Sequence, residues 1–550
     1  MLVGLDLGGT HIDGAVIDDG AVLKTIKREV DPDDLFSTIW TTLSDLLMPF
    51  DTKDIDRITL STTISTNAIV EQKIDPVGLI VACGPGITHD FSAISPTVFH
   101  ISGSIDHRGI ITDPIDQEQI ESVSKKIVNE GLDHCAVVTK FSTRNVEMET
   151  RMADYLEGKV SHVTMGHRMS GRLNFPRRVN TTYLNEAVYS VFNNFADKSS
   201  AAMSKMRLDV PLNILKADGG MMDLPTAQEH PVETILSGPA ASLSGILSLS
   251  KIREDAILLD IGGTTTDIFF LADGVPLFAP DGAVISDYRT LVRAVYSVSI
   301  GLGGDSRVKL VDDKIHIGPE REGKPYAYGG PAVTATDAMI VLGLIENTDE
   351  DQRERAVRAL TEIKGAFAVE QTALSILTQM ARTIKETTDR LLRNINERPV
   401  YTIKELLHEK KLDPRSIHII GGPAKALAPY LEEVYSLECH VPPFFDIGNA
   451  VGAALSNVTK ELTLTANCAV GILSVPEIGL TEGITEEFSL AQAKARLFEL
   501  FNEIYHIKEQ DCEIVEESCY TMVRGFSSAG KNIRLKAQVK PRMIHVMKEI

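Results

Sequence analysis

The sequence predicts an α/β protein with two homologous half-domains that face each other and a small α+β domain after them. Three observations predict this arrangement. The chain has 550 residues, which is more than one hydrophobic core usually accommodates. A segment near the start of the chain recurs in the middle, and the pattern of apolar residues changes again near the end. We therefore expect a first half-domain with an insertion, a second half-domain and a C-terminal domain, over residues 1–240, 241–460 and 461–550.

The recurring segment is an internal repeat without a gap. Residues 5–13 read LDLGGTHID, and residues 259–267 read LDIGGTTTD. The offset, 259 minus 5 or 254 residues, is constant, and identities continue as far as residue 23 against residue 277. A period this long does not fit a solenoid, so the repeat indicates two homologous half-domains.

Each copy of the repeat reads as strand, turn, strand, turn and strand. An apolar run comes first, over residues 2–5 or 256–259, as in a buried strand. A Gly-Gly turn, a second β-prone run and an Asp-Gly turn follow, and Asp-Gly is a strong hairpin signal. In a dinucleotide-binding unit the glycines open a helix, whereas here they open a hairpin.

Both Gly-Gly turns carry residues suited to phosphate and magnesium. Glycine lets backbone N–H groups approach a phosphate, threonine hydroxyls add donors, and Mg²⁺ prefers a few carboxylates together with phosphate oxygens. The candidates are Asp6, Gly8, Gly9, Thr10 and Asp13 in the first copy and Asp260, Gly262, Gly263, Thr264 and Asp267 in the second. Two facing hairpins would hold a triphosphate from both sides. Two unrelated tight turns are the alternative, which the second copy in register disfavours.

The four aspartates are the candidate catalytic residues. We expect Asp6 or Asp260 to organise the metal ion, and Asp13 or Asp267 to orient a nucleophile or support the metal. Side-chain capping of the turn is the alternative for the second pair. His11 lies inside the first turn, where it could contact phosphate or simply face solvent.

Composition excludes several classes of function. The formal net charge of −21 argues against a nucleic-acid surface or an anionic membrane surface. The six cysteines are scattered without a CxxC pair, which argues against a zinc site and a disulfide framework. No apolar run is long enough to span a bilayer, and the first residues lack the pattern of a signal peptide, so we expect a cytoplasmic protein.

Further segments occur in the order typical of one ATPase superfamily. They are LSGPAA at 236–241, IGLGGD at 300–305, a strand at 417–420 followed by GGPA, and DIGNAVGAA at 446–454. With the two hairpins, this order resembles the sugar-kinase, actin and heat-shock-chaperone ATPases. The resemblance implies actin-like, ribonuclease H-like half-domains around a nucleotide cleft that binds ATP and Mg²⁺. It adds His11, Thr265, Thr266, Gly303, Gly304, Asp305, Gly421, Gly422 and Pro423 to the candidate nucleotide-binding residues.

Within that superfamily the chain is similar to the hydantoinase/oxoprolinase family. The similar segments are STTISTNA at 61–68, FSTRN at 141–145 with two later glutamates, the helix at 178–185, DGG at 218–220 and YGGPAVTATDA at 328–338. The resemblance implies ATP-dependent opening of cyclic amides, or ketone carboxylation, together with a second subunit of the same enzyme system. Residues 303–306 read GGDS where the family carries GGGS, and this turn is more similar to that of the heat-shock chaperones.

A polar cluster after the strand at 58–60 is the candidate substrate site. Thr62, Thr63, Thr66 and Asn67 follow this strand, and a helix N-cap could explain one of them. The full cluster exceeds what a cap needs, so we expect contact with substrate or phosphate.

Three functions compete on this evidence. The first is a hydrolase subunit that opens hydantoin or 5-oxoproline rings through Mg-ATP-driven phosphoryl activation. The second is an ATPase that acts on a protein, as a reactivating chaperone does, which the GGDS turn favours. The third is a small-molecule kinase, although no sugar-site pattern is present. The C-terminal domain, with a helix predicted at 488–505 and strands at 512–525 and 532–539, offers no catalytic pattern.

Overall fold

Two sheets of the same topology form the centre of the protein in the computed structural model. The structure describes residues 1–31, 34–312, 314–363, 367–397, 411–524 and 527–540. An insertion interrupts the first unit, and a C-terminal sheet follows the second. The chain passes through these parts in the order given below.

The first unit begins with the predicted strand–turn–strand–turn–strand segment. Its first elements are β1 (Leu2–Leu7), β2 (His11–Asp18), β3 (Ala21–Glu29), α1 (Leu35–Leu47), β4 (Arg57–Thr62) and α2 (Ile64–Val70). β2 runs antiparallel to β1 and to β3, and β4 runs parallel to β1. Val3 and Leu5 of β1 and Leu43 of α1 are fully buried in the same core, because α1 covers one face of the sheet.

The insertion is a separate parallel sheet after α2. Its elements are β5 (Val77–Ala82), β6 (Val98–His100), β7 (Ser104–Ile105), β8 (Ile111–Asp113), α3 (Gln117–Asn129), β9 (His134–Thr139), α4 (Glu147–Leu156), β10 (His162–Met165), α5 (Gly166–Met169) and α6 (Phe175–Ala187). The strand order β10-β9-β5-β6 is parallel throughout. All residues of β5 and β9 are buried, as is usual for parallel strands with both faces covered.

The chain then returns to the first sheet and crosses to the second unit. The returning elements are α7 (Tyr189–Lys205), β11 (Leu212–Leu215), β12 (Met221–Asp223), α8 (Leu224–Glu229) and α9 (Ser237–Leu249). β11 pairs parallel to β4 and completes the order β12-β11-β4-β1-β2-β3.

The second unit repeats the first, as the internal repeat predicts. Its elements are β13 (Ala256–Ile261), β14 (Thr266–Ala272), β15 (Val275–Pro276), β16 (Val284–Ile285), β17 (Tyr288–Arg289), β18 (Val298–Ile300), β19 (Val308–Val311), β20 (Lys314–Ile317), α10 (Ala335–Val341), α11 (Glu350–Ile363), α12 (Val369–Asn396), β21 (Ser416–Ile420), α13 (Ala424–Tyr435), β22 (Glu438–His440) and α14 (Gly448–Leu455). β13 is antiparallel to β14 and parallel to β21, which matches β1 with β2 and β4.

Helices α9 and α14 cross between the two units with their backbones in contact. A Cβ built on Gly452 of α14 would lie 2.2 Å from the carbonyl oxygen of Ala241, and one on Gly245 of α9 would lie 2.2 Å from that of Gly448. The predicted boundary between residues 240 and 241 falls inside α9. We propose that α9 and α14 together connect the half-domains.

The C-terminal part forms one antiparallel sheet covered by a helix. Its elements are β23 (Glu461–Asn467), β24 (Ile472–Val475), β25 (Leu480–Gly483), α15 (Leu490–Tyr505), β26 (Cys512–Arg524) and β27 (Ser527–Val539). α15, β26 and β27 match the predicted helix and strands, whereas β23, β24 and β25 were not predicted. Leu497 and Phe501 of α15 are buried against the sheet. Residues 525, 526 and 541–550 of the predicted domain lie outside the described residues. Among the helices that the structure describes, none is long and apolar enough to cross a membrane.

Candidate functional site

A cleft of about 480 Å³ lies between the two units and is lined by both Gly-Gly turns. Its predicted lining residues are Asp6, Gly8, Thr10, His11, Asp13, Thr63, Asp260, Gly262, Gly263, Thr264, Thr265, Asp267, Gly304, Asp305, Gly421, Gly422 and Pro423. Residues 254 positions apart in the sequence therefore meet across one opening.

The two turns have the same geometry. In the first, the backbone N–H of Gly8 donates to the carbonyl oxygen of His11 at 3.1 Å. In the second, Gly262 donates to Thr265 at 2.9 Å. Each bond closes the tight hairpin between two antiparallel strands, so the turns present their remaining polar groups to the cleft. The sequence repeat is thus a structural repeat down to single hydrogen bonds.

The strand register places the four aspartates in opposed pairs. Asp6 of β1 lies directly across from Asp13 of β2, and Asp260 of β13 lies across from Asp267 of β14. Asn449 at the start of α14 joins the two pairs, because its side-chain amide donates to Asp6 Oδ2 at 3.2 Å and to Asp260 Oδ2 at 3.3 Å. Like charges directly opposite each other destabilise a sheet, so this arrangement is costly without a cation.

Burial makes the charged forms of these aspartates unfavourable. It raises the pKa of Asp6 to about 6 and that of Asp267 to about 7, and it raises the pKa values of Asp13 and Asp260. Lys27 Nζ lies 2.9 Å from Asp13 Oδ2 and offsets part of this effect, but Asp13 Oδ1 is buried and has no hydrogen-bond partner among the described residues. A divalent cation between the pairs would favour the charged carboxylates.

The donor set fits Mg²⁺ rather than a metal held by protein alone. Among the residues that the structure describes, no group of three or more His, Cys, Asp and Glu side chains is assembled to hold a metal ion. Asp6 and Asp260 offer two carboxylates on one side of the cleft, next to two phosphate-sized turns. Mg²⁺ is typically bound by one or two carboxylates, with waters and substrate phosphates completing the octahedron.

The part of the cleft around Gly421 and Gly422 suits a nucleoside. The turn at Gly421 and Gly422 lies next to Pro423, Met339 and Ile345, which supply apolar surface. Gly421 has φ of +97°, and a Cβ there would lie 2.3 Å from the carbonyl oxygen of Ile261, so the position requires glycine. A Cβ on Gly422 would meet nothing within 4 Å, which leaves room beside the glycine.

The turn at 303–305 supports the second phosphate turn. Backbone N–H groups of Gly304 and Asp305 donate to the carbonyl oxygens of Gly262 and Gly263 at 3.0 and 2.6 Å. Thr336, at the start of α10, donates its side-chain hydroxyl to the carbonyl oxygen of Gly304 at 2.9 Å. Asp305 also pairs with Arg321 at 3.3 Å.

Six predicted site residues do not line the cleft. Gly9 is exposed at the tip of its turn, and Asn67 donates to the hydroxyl of Thr63 at 3.2 Å. Thr266 is buried and donates to the carbonyl oxygen of Leu302 at 2.6 Å, and Gly303 packs on Gly263. Side chains alternate across a strand, so a polar residue at a strand end can point away from the site.

Two of the predicted substrate contacts instead hold α9 in place. Buried Thr62 exchanges hydrogen bonds with Ser237, and its carbonyl oxygen accepts from Ser237 Oγ at 2.8 Å. Thr66 Oγ1 accepts from the backbone N–H of Leu236 at 3.0 Å. The backbone of Thr62 and the hydroxyl of Thr66 therefore connect β4 and α2 to the start of α9, and of the predicted cluster Thr63 faces the cleft.

Several cleft residues were missed from the sequence. They are Lys27, Ser242, Thr336, Met339, Ile345, Asp446 and Asn449. Ser242 donates to Asp260 Oδ2 at 2.6 Å. Ser242 follows the LSGPAA segment, Thr336 lies inside YGGPAVTATDA, and Asp446 and Asn449 lie inside DIGNAVGAA. These three sequence motifs could therefore have pointed to four of the missed cleft residues.

The duplicated hairpin sheets and the cleft between them define an actin-like, ribonuclease H-like protein, as predicted. Comparison with known families then gives a narrower class. The hydantoinase/oxoprolinase family matches residues 178–462, and the hydantoinase/oxoprolinase N-terminal region matches residues 2–160. The chain belongs to the hydantoinase/oxoprolinase family.

Individual relatives are distant. An uncharacterized protein of Methanocaldococcus jannaschii is 21% identical over 384 residues, which cover 65% of this chain and 55% of that protein. The nucleotide-free structure of an acetone carboxylase has TM-score 0.70 at 17% identity and covers 99% of this chain and 88% of that one. An ATP-dependent caprolactamase from Pseudomonas jessenii has TM-score 0.72 at 20% identity, with coverages of 100% and 89%. The chain spans between 31% and 55% of the length of the curated relatives that it matches.

Proposed function

We propose that the chain is the ATP-binding subunit of a hydrolase that opens cyclic amides of the hydantoin or 5-oxoproline type. The observation that carries the proposal is the pair of Gly-Gly turns with four aspartates, one buried and three half-buried, around one cleft in which Asn449 joins the two pairs. Family membership and the fold shared with an ATP-dependent caprolactamase support the choice of a cyclic amide.

In this proposal the residues of the cleft divide into three tasks. The N–H groups and hydroxyls of the turns at Thr10 and Thr264 bind the phosphates from the two sides. Asp6 and Asp260 hold Mg²⁺, which would neutralise charge on the transferred phosphoryl group. The adenosine lies against Gly422 and Pro423.

The chemistry consumes one ATP and two waters for each ring. The amide oxygen attacks the γ-phosphorus, the bond from that phosphorus to the bridging oxygen breaks, and ADP leaves. A base accepts the proton of the ring N–H, and Asp267, with a pKa of about 7, is suited to accept and return a proton near neutrality. Water then adds to the activated carbon, and the C–N bond breaks as nitrogen regains a proton, which leaves an acyl phosphate. A second water attacks this acyl phosphate, phosphate leaves, and a carboxylate remains.

A second subunit is part of the proposal. One relative is itself a subunit of a larger enzyme: the gamma subunit of the acetophenone carboxylase of Aromatoleum aromaticum is 23% identical over 257 residues. We propose that the partner supplies the hydrolytic step, while this chain activates the amide.

The test measures Mg-ATP binding by calorimetry and ADP release in the presence of hydantoins, 5-oxoproline and small ketones. Asp260→Asn removes one metal carboxylate and should lower stimulated ADP release by about 100-fold, the usual effect of losing one group that stabilises transition-state charge. Asp209→Asn changes an exposed aspartate outside the cleft and is the matched control.

The outcomes separate the alternatives. Stimulation by a cyclic amide that Asp260→Asn abolishes would support the proposal, and stimulation by ketones alone would replace the substrate class with ketones. Mg-ATP turnover that ignores every small molecule, with or without the partner subunit, would favour an ATPase that acts on a protein. Absence of Mg-ATP binding would refute the proposal.

A further inference from the structure

A second, polar cavity of about 230 Å³ lies away from the nucleotide cleft. It is enclosed by parts of the chain far apart in sequence. Lys216 follows β11, Lys460 precedes β23, Glu477 follows β24 and Tyr505 ends α15. The C-terminal domain therefore closes a space that the first unit and the insertion leave open.

Most charges around this cavity neutralise one another. Lys216 Nζ lies 2.9 Å from Glu233 Oε2, and Arg293 Nη1 lies 2.7 Å from Glu461 Oε1. Burial raises the pKa of Glu233, but attraction to Lys216 dominates and lowers it to about 2. In each of these ion pairs the two charges neutralise each other, so neither pair offers a charge to a ligand.

One cation in the wall has no carboxylate partner. Among the residues that the structure describes, Lys460 Nζ forms no ion pair. It makes one long hydrogen bond to Thr226 Oγ1, at 3.5 Å, and lies 4.9 Å from the centre of the Tyr505 ring. An ammonium group has three donors, and burial without a partner is unfavourable. Burial lowers the pKa of Lys460; attraction to Glu233 opposes this shift, and the nearby Lys216 adds to it.

One acid in the same wall lacks a cationic partner. Within the described part of the chain, the Glu477 carboxylate forms no ion pair, and Oε2 accepts from the backbone N–H of Thr463 at 3.2 Å. Its other oxygen lies where a side chain on Gly171 would be, 2.5 Å from a Cβ built there. Burial raises the pKa of Glu477. Lys460 and Glu477 are thus a half-buried cation and a half-buried acid without an ion pair among the described residues, whereas Arg168 and Glu229, which also line the cavity without an ion pair, are exposed.

We propose that this cavity binds a small zwitterion, an amino acid whose carboxylate pairs with Lys460 and whose ammonium group pairs with Glu477. Such a ligand would satisfy both groups at once, whereas a simple anion or a simple amine would satisfy one. That the ligand is the ring-opened product rests on the proposed function, because opening a cyclic amide produces a free carboxylate and a free amine on one chain.

The experiment measures binding by calorimetry and by thermal shift on the full chain without nucleotide. The probes are 5-aminopentanoate, pentanoate and pentylamine, which carry both charges, the carboxylate alone and the amine alone. We expect 5-aminopentanoate to bind at least ten-fold more tightly than either single-charge probe. Lys460→Met should abolish binding of 5-aminopentanoate, while Lys460→Arg keeps the positive charge and should retain it.

Glu477→Gln tests the other end of the ligand. This variant should bind 5-aminopentanoate and pentanoate with the same affinity, because it loses only the pairing with the amine. Lys494→Met and Glu486→Gln, which change groups outside the cavity, are the matched controls. No binding of 5-aminopentanoate to the native chain, equal binding of all three probes, or unchanged binding by Lys460→Met would overturn the proposal.

Binding of the zwitterion to this cavity should not depend on the nucleotide site. Asp260→Asn should bind 5-aminopentanoate as the native chain does. If the native chain turns over Mg-ATP with cyclic amides but ignores the zwitterion, the cavity proposal fails and the proposed function stands. If the zwitterion binds but Mg-ATP does not, the proposed function fails, and the cavity is a site for amino acids unrelated to ring opening.

Discussion

Substitution of Gly452 by alanine tests whether the contact between α9 and α14 couples the two half-domains. The added Cβ would lie 2.2 Å from the carbonyl oxygen of Ala241 and 2.4 Å from the backbone nitrogen of Gly245. Both obstacles are backbone atoms of a buried helix, so neither can rotate away. The two helices must separate by about 1 Å to restore ordinary contact.

The expected change in the free energy of unfolding is the sum of two opposing contributions. Overpacking in a filled interior typically costs about 1–3 kcal/mol, and a clash with backbone belongs at the upper end. Alanine regains about 1 kcal/mol over glycine in a helix interior. We therefore expect a net loss of about 2 kcal/mol in the free energy of unfolding, from these two terms.

The same displacement should reach the nucleotide cleft. Asn449 lies three residues before Gly452 on α14, and its amide joins Asp6 to Asp260. A shift of the helix would break one of these hydrogen bonds. A loss of about 1.4 kcal/mol in binding corresponds to a ten-fold weaker affinity for Mg-ATP.

Urea unfolding followed by circular dichroism gives the stability, and calorimetry with Mg-ATP gives the affinity. Gly238→Ala is the stability control, because a Cβ there meets nothing within 4 Å although the residue lies on the same helix α9. Gly483→Ala, equally free of contacts, is the affinity control. Native stability together with native affinity in Gly452→Ala would refute the reasoning.

Two further predictions concern residues outside the phosphate turns. Buried Glu186 accepts from His134 Nδ1 at 2.7 Å, His162 Nδ1 at 2.8 Å and Thr164 Oγ1 at 2.6 Å, so Glu186→Gln should cost about 3 kcal/mol, as for a broken buried pair. The hydrogen bond to Glu186 raises the pKa of His134 from 6.5. The stabilisation that protonated His134 contributes is therefore lost as pH rises through the pKa of His134 in the folded protein. Burial raises the pKa of Glu186, but the hydrogen bonds from the histidines dominate and lower it from 4.5. The stabilisation that ionised Glu186 contributes is therefore lost as pH falls through the pKa of Glu186 in the folded protein. Urea unfolding of native and variant chains should therefore differ most between pH 4.5 and 6.5, and a pH-independent difference would contradict this account. Thr66→Val leaves the N–H of Leu236 unpaired and should cost about 1–3 kcal/mol without changing Mg-ATP affinity, whereas Thr63→Val should weaken that affinity. Equal effects of the two threonine variants on affinity would show that Thr66 is a binding residue after all.

The fold could be predicted because its decisive features are local. Each copy of the repeat contains two strands and the turn between them within 17 residues, 2–18 and 256–272. The alternation of apolar residues fixes which face of each strand is buried. β1 pairs with β2 in the same register as β13 pairs with β14. Asp6 therefore lies opposite Asp13, and Asp260 lies opposite Asp267. The sequence therefore determined the duplicated sheets, the two turns, the family and the four aspartates.

Only the tertiary structure decided which distant side chains meet. Asn449 reaches Asp6 across 443 positions, and Lys27 accompanies Asp13 because β3 pairs beside β2. Lys460 and Glu477 share a cavity with Lys216 because the C-terminal sheet packs onto the first unit. Thr62 and Thr66 looked like substrate contacts in sequence, yet they bond to α9. Local spacing fixes the direction of a side chain relative to its own helix or strand, but its neighbours depend on how those elements pack.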